Sequence, residues 1–269
     1  MDLLLRMYGR LGLAVLLYVT TWYFVGRSRR RNDVADVAWG LGFLLIAVLS
    51  FIEGGGFGGG RQGAESVRTP LITLLVAIWS VRLSLHIYLR NRGKAEDARY
   101  AAWRSSWQRF FQLRAYLQIY VLQGFLMLVI SAPVVIANTF RSSPVGWVEA
   151  VGVACWCVGF FFEVVGDHQL ARFVRDPANR GRILESGLWR YSRHPNYFGE
   201  VLLWCGIGLI ALPARLGWAG LVGPACIAFL ILKVSGVPML EEHLAKKAGF
   251  DSYKGRVNAF VPGRRSTAN

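Results

Sequence analysis

The densest run of chemically capable side chains is Gly187-Leu188-Trp189-Arg190-Tyr191-Ser192-Arg193-His194-Pro195-Asn196-Tyr197-Phe198-Gly199-Glu200. Proline favours a non-helical residue before it and is well placed to open a helix, so Asn196 to Glu200 are expected to form a first helical turn. A helix N-terminus presents free N–H groups and positive potential, which suit an anionic ligand. The loop before it adds Arg172, Arg175, Arg180 and Arg182, whose guanidinium forks match phosphate oxygens. Trp189, Tyr191 and Tyr197 offer flat faces for a ring. The pattern reads as a nucleotide site built from helix ends, and no glycine fingerprint of a soluble dinucleotide fold is present. The plainer alternative is a basic loop that holds lipid headgroups.

Other candidates lie inside apolar runs, where a charged side chain is costly and is a functional candidate by default. Asp33 and Asp36 stand a helical turn apart, with Trp39 a turn further on. Arg82 and His86 share a helix face, as do Glu163 and Asp167. Structural pairing among these groups is the competing reading. Cys155, Cys157, Cys205 and Cys226 all sit in apolar stretches with no zinc spacing, so they read as buried thiols and no metal is expected.

The elements that must carry these groups are membrane helices. Of the 269 residues 54% are hydrophobic and 17% charged, with a net charge of +15. Seven runs of membrane-spanning length appear, at roughly 4–26, 35–53, 70–90, 116–138, 145–171, 197–213 and 217–237. None alternates as a barrel strand would. The first has no small-residue cleavage site and reads as a retained helix.

Basic residues cluster in alternate connections. They include Arg27, Arg29, Arg30 and Arg31; Arg92 to Arg114; Arg172 to Arg193; and Lys246 to Arg265 in the tail. The other connections hold only Arg61 and Arg68, then Arg141, then Arg215. The positive-inside rule then places the N-terminus outside and the C-terminus in the cytoplasm, and nucleic acid is not needed to explain the charge. The glycine-rich stretch Gly54 to Gly60 reads as a connector. A single all-α domain over 1–269 is expected, with a cofactor-binding half at about 145–265.

Tyr191 to Glu200, with its Arg-His-Pro-Asn-Tyr-x-Gly-acid pattern, resembles the C-terminal signature of membrane steroid 5α-reductases and sterol C14-reductases. The nearest resemblance is to a bacterial branch of 5α-reductase-like membrane proteins, through Asn32, Asp33, Asp36, Trp39 and Gly40. Arg90-Asn91-Arg92-Gly93-Lys94, Glu96-Asp97, Arg99-Tyr100 and the tail from Pro238-Met239-Leu240-Glu241-Glu242 to Pro262 are similar too. The resemblance implies a seven-helix bundle in a bacterial inner membrane that binds NADPH from the cytoplasm. It implies hydride transfer to the C=C bond of a lipophilic enone, such as a 3-oxo-4-ene steroid, entering from the bilayer.

By position, Asp167, Arg182, Tyr191, Asn196 and Glu200 would contact the cofactor, with Asn91 and Arg92 close to it. Arg172, Arg175, Trp189, Arg193, His194 and Tyr197 complete the expected cofactor set. The steroid enzymes carry a Gln-Glu pair on the second span and a Tyr well before Asn91 on the third. Here Asp33 and Asp36 stand on the second, Trp79 and Ser80 on the third, and Tyr88 is nearer the loop. The catalytic candidates are therefore Asp33, Asp36 and Tyr88.

Hydride chemistry needs a cofactor, because no side chain supplies a hydride. Two alternatives stay open. One is an S-adenosylmethionine-dependent methyltransferase of the isoprenylcysteine carboxyl type, which shares Arg-His-Pro-x-Tyr. The other is a transporter or lipid scaffold, although no repeated halves appear.

Overall fold

The computed structural model describes residues 2–56, 67–140 and 145–265. Arg61, Arg141 and the Phe57 to Gly60 part of the glycine-rich stretch lie outside the described residues. The described chain is helical throughout its ordered elements, with no β-strand among the described residues. The helices are α1 (Asp2–Arg29), α2 (Val34–Glu53), α3 (Arg68–Asn91), α4 (the run Ala98–Ile130), α5 (Ala132–Thr139), α6 (Trp147–Arg175), α7 (Pro195–Ala211), α8 (Val222–Phe229), α9 (Val237–Leu244) and α10 (Phe250–Arg256).

Six stretches among the described residues are long and apolar enough to cross a membrane: α1, α2, α3, α4, α6 and Gly217–Leu244, which contains α8 and α9. Large apolar side chains such as Leu13, Leu17, Phe24, Leu74, Val81, Leu85, Val158 and Phe161 point outward along these helices. Water would penalise that surface, whereas hydrocarbon accepts it. The chain is an all-α, multi-pass integral membrane protein.

The span expected at 197–213 corresponds to α7, whose 17 residues rise about 26 Å, somewhat short of a hydrocarbon core of about 30 Å. The span expected at 116–138 is interrupted at Ser131, because Pro133 restarts the helix as α5. The polar connection expected over 92–114 is largely helical. Asp97 caps α4 by accepting from the Arg99 N–H at 2.9 Å. Trp103, Trp107 and Phe111 then follow at four-residue spacing and pack in sequence, with Trp103 and Trp107 stacked at 5.4 Å. The cysteines are free, but they are not in the interior. Cys157 is exposed and the other three are half-buried, because these helix faces turn toward lipid.

The chain forms two compact units. One comprises Met1–Gly146 with Ala211–Gly223, and the other Trp147–Ile210 with Pro224–Asn269. In the first, α2 is central against α1, α3 and α5, around buried Leu11, Phe43, Ile46, Ile72 and Trp79. Asn138 of α5 donates to Ser50 Oγ of α2 and Thr73 Oγ1 of α3, tying three helices through a polar centre.

In the second unit, α6 and α7 meet along a glycine seam. Gly152, Gly159 and Gly166 recur every seven residues on α6, and Gly199 and Gly206 do so on α7. A Cβ at Gly206 would fall 2.5 Å from the Gly152 carbonyl oxygen, and one at Gly166 would fall 3.1 Å from the Asn196 nitrogen. Small residues let membrane helices approach closely, and here the seam brings the start of α7 against the last turns of α6.

Candidate functional site

The second unit holds the first polar site, at the start of α7. Pro195 opens that helix, as its fixed backbone angle favours. Asn196 Nδ2 donates to Asp167 Oδ1 across the seam at 2.9 Å. The loop before α7 is anchored on α6. Trp189 Nε1 donates to the Gly166 carbonyl at 3.1 Å, and the Leu188 N–H donates to Gln169 Oε1 at 2.9 Å. Tyr253 of α10 donates to the Trp189 carbonyl at 2.7 Å, and the Gly263 N–H donates to the Tyr191 carbonyl. Burial pushes the Tyr253 hydroxyl well above its ordinary pKa, so it stays a donor.

Arg193 and His194 are both buried, the latter completely. Arg193 donates to Glu241 of α9, with contacts of 2.8 and 2.6 Å, and to the carbonyls of Lys254 and Val257 at 3.1 and 2.6 Å. Its fork is thus taken up within the chain and pins the tail to the loop. His194 Nε2 lies 3.2 Å from the same Glu241 Oε1. The His194 ring stacks on Tyr197 at 5.7 Å. Burial holds the imidazole below its ordinary pKa, against the opposing pull of Glu241. Two polar atoms here, His194 Nδ1 and Asn196 Oδ1, are buried with no hydrogen-bond partner among the described residues.

Around this centre Tyr191 is exposed, and Tyr197 and Glu200 are half-buried. Arg172, Arg175, Arg180 and Arg182 are exposed and form the basic rim. Lys247 donates to the Arg182 carbonyl, and Arg256 and Arg265 both reach Glu185.

The first unit holds a separate polar network at the start of α2. Asp33 accepts from Arg31 through both oxygens, at 2.7 and 2.5 Å. Asp36 accepts from the Tyr100 hydroxyl at 2.6 Å and from Arg99 at 3.1 Å. Glu96 accepts the Asn32 N–H at 2.6 Å and two contacts from Arg104. Asp97 is partly buried, which alone would raise its pKa. Hydrogen bonds from the Arg99 side chain and backbone more than offset this and hold the carboxyl below the usual carboxylate range. Asp33 and Asp36, the aspartates expected to be catalytic, thus share one end of α2, and each is engaged by a cation or a phenol. Tyr88 of α3 is 46% exposed and stands outside the network. Asn91 is half-buried and accepts from Arg90, while Arg92 is exposed just past the end of α3. Along α3, Val81, Arg82, Leu85, His86 and Leu89 border an apolar groove of about 670 Å³.

Sequence reasoning passed over Glu241 as a partner of His194, and Tyr100 and Arg99 as partners of Asp36. These pairs are 47, 64 and 63 residues apart, and nothing local couples them. It also passed over the glycine seam, whose seven-residue spacing was a readable signal. Among the described residues, no group of three His, Cys, Asp or Glu side chains comes together as a metal ion would require.

A bundle of membrane helices with a buried Arg-His-Pro-Asn corner held by its own tail defines the class of protein. The chain belongs to the family described as "Protein of unknown function (DUF1295)", which it matches over residues 22–257. It is homologous to 3-oxo-5-alpha-steroid 4-dehydrogenase 1 proteins. The similarity is 39% identity over 79 residues with that of Bos taurus, covering 29% of this chain and 30% of the relative. With the Homo sapiens protein it is 38% over 60 residues, covering 22% and 23%. An uncharacterized protein of Schizosaccharomyces pombe is 28% identical over 189 residues, 59% of this chain and 55% of that protein. The chain thus matches between about a fifth and just over half of the length of these relatives. No solved structure matches it.

Proposed function

We propose that this protein is an NADPH-dependent reductase of a C=C bond in a lipophilic enone, such as a 3-oxo-4-ene steroid or a related lipid. The observation that carries the reading is the corner at the start of α7. There the Asn196–Asp167 pair and His194 leave two buried polar atoms without a partner among the described residues, beside an exposed arginine rim. That combination fits a ligand with hydroxyl or amide donors at one end and phosphates at the other. The homology to 3-oxo-5-alpha-steroid 4-dehydrogenases supports the reaction class.

NADPH, when bound, supplies the hydride. Arg172, Arg175 and Arg182 present guanidinium groups to its phosphates. Trp189, Tyr191 and Tyr197 offer ring faces, and Asp167 orients Asn196. Glu200 borders the cofactor in this reading, and Asn91 and Arg92 are assigned to it by the resemblance alone. Toward the substrate, a group holding a proton at the enone carbonyl oxygen stabilises the developing enolate. Asp33 and Asp36 are occupied by Arg31, Arg99 and Tyr100, which leaves the Tyr88 hydroxyl as the favoured donor. The apolar groove on α3 suits a substrate that arrives from the bilayer. The protein acts as one domain over 1–269, with the C-terminus and the cofactor half at about 145–265 facing the cytoplasm of a bacterial inner membrane.

The deciding experiment titrates detergent-purified protein with NADPH, NADH and S-adenosylmethionine in parallel. Selective NADPH binding supports the reductase and directs attention to a screen of enones. Selective S-adenosylmethionine binding replaces it with a methyltransferase. Binding of none leaves a transporter or lipid-binding scaffold.

A further inference from the structure

In the first unit the last turns of α1 run antiparallel beside the first half of α4. Thr20 Oγ1 and the Tyr116 hydroxyl are 3.0 Å apart, and Tyr23 donates to Gln112 at 3.1 Å. Further along, Arg104 donates to the Arg30 carbonyl at 3.3 Å. Each turn toward the end of α1 therefore meets a turn nearer the start of α4. Arg27 stands one turn beyond Tyr23, and Arg109 one turn before Gln112. The two cations continue the contact line that Tyr23 and Gln112 begin.

Charge on this surface is unevenly matched. Arg31, Arg99 and Arg104 are paired with Asp33, Asp36, Asp97 and Glu96. Arg27 and Arg109 are exposed, and neither reaches an acid among the described residues. Arg109 instead lies over the Phe110 ring at 4.7 Å. Like charges placed on facing turns repel, and an anion between them removes that cost.

The surface on the membrane side of the pair is apolar. Leu17 and Phe24 of α1 are 62% and 60% exposed, and Leu113 and Leu117 of α4 are 59% and 48% exposed. On the other side the α4 run is broken. Gln108 takes a positive φ of 43°, which a right-handed helix does not accommodate, so Ala98–Trp107 stops there and the spanning part starts afresh. The stacked Trp103 and Trp107 stand just before the break, as aromatic residues do at a bilayer interface. A cationic pair above an apolar strip matches a phosphodiester above acyl chains, whereas free phosphate would leave the strip unused.

We propose that Arg27 and Arg109 bind the phosphodiester of an anionic phospholipid, whose acyl chains lie over Leu17, Phe24, Leu113 and Leu117. Guanidinium forks suit phosphate oxygens. A zwitterionic lipid offers the same phosphodiester, but its ammonium group is repelled by the two arginines. The site is independent of the reductase reading.

The test titrates detergent-purified protein with dioleoyl phosphatidylglycerol, dioleoyl phosphatidylcholine and soluble glycerol phosphate, counting bound molecules by native mass spectrometry. One phosphatidylglycerol should bind about 10- to 30-fold more tightly than phosphatidylcholine, the scale of two basic groups near an anionic headgroup. Glycerol phosphate should not displace it. Arg27→Gln/Arg109→Gln should abolish that preference. Arg190→Gln/Lys246→Gln, which removes the same charge from exposed positions in the second unit, should keep it. Equal loss in both double variants overturns the site in favour of net charge alone. Equal affinity for the two lipids overturns it outright, and displacement by glycerol phosphate replaces the lipid with a free anion.

A second measurement needs no variant. Wild type is irradiated with phosphatidylglycerol that carries a diazirine in one acyl chain. Peptides containing Phe24 and Leu113 should be labelled, and unlabelled phosphatidylglycerol should suppress the labelling where phosphatidylcholine does not. Labelling spread evenly over the outward faces of all the helices overturns the proposal, whether or not the variants fold.

Discussion

Gly159 on α6 and Gly199 on α7 face each other so closely that a Cβ built on either falls within 2.5 Å of the other's carbonyl oxygen. Neither atom can yield without moving backbone, so the seam sets the distance between the helices that carry Asp167 and Asn196. Gly199→Ala is expected to cost about 1–3 kcal/mol, the usual penalty of overpacking, and to weaken the Asn196–Asp167 bond. Gly9→Ala on α1, where nothing lies within 4 Å, should stay within about 0.5 kcal/mol of wild type. Unfolding in detergent with denaturant compares the two.

The second prediction concerns pH. The His194 pKa is lowered in the folded protein, chiefly by burial. The unfolded chain takes up a proton near pH 6.5, its ordinary value, while the folded chain resists it. The stability contributed by neutral His194 is therefore present above about pH 6.5. It is lost as pH falls from there toward the folded pKa. Unfolding midpoints measured from pH 7.5 down to 5 should decline in wild type, and His194→Gln should flatten that decline.

Arg182 is exposed on the basic rim and its carbonyl is held by Lys247, so its side chain is free to serve a ligand. Arg182→Ala is expected to weaken NADPH by about 10- to 100-fold, the scale of a charge-assisted hydrogen bond. NADH should be nearly unaffected because it lacks the extra phosphate. Fluorescence titration of both nucleotides decides the matter, and equal weakening would remove Arg182 from the phosphate site.

Tyr88 and Tyr100 should separate catalysis from stability. Tyr100 is buried and donates to Asp36 at 2.6 Å, so Tyr100→Phe leaves a carboxylate short of a donor. The expected cost is about 1–3 kcal/mol of stability. Tyr88→Phe should leave stability within about 0.5 kcal/mol of wild type, yet slow enone reduction by about 100-fold or more if its hydroxyl is the proton donor. Parallel unfolding and turnover assays read both effects, and full turnover in Tyr88→Phe would return the donor role to the network around Asp36.

The sequence by itself determined the membrane class, because apolar runs of spanning length and the alternation of Arg-rich connections are local properties of composition. It also determined that α7 starts at Pro195, because proline imposes its backbone angle and removes a donor wherever it stands. The Arg193-His194-Pro195-Asn196 corner was legible for the same reason. Only the tertiary structure decided what those residues do with their polar atoms. Arg193 was expected in the cofactor set, and the fold shows Glu241 and the tail carbonyls taking up its guanidinium. Asp33 and Asp36 looked like a catalytic pair, but Arg31, Arg99 and Tyr100 engage both. Hydrogen bonds in a low-dielectric interior are set by whichever group the packing of distant helices brings within about 3 Å. No spacing along the chain encodes that choice.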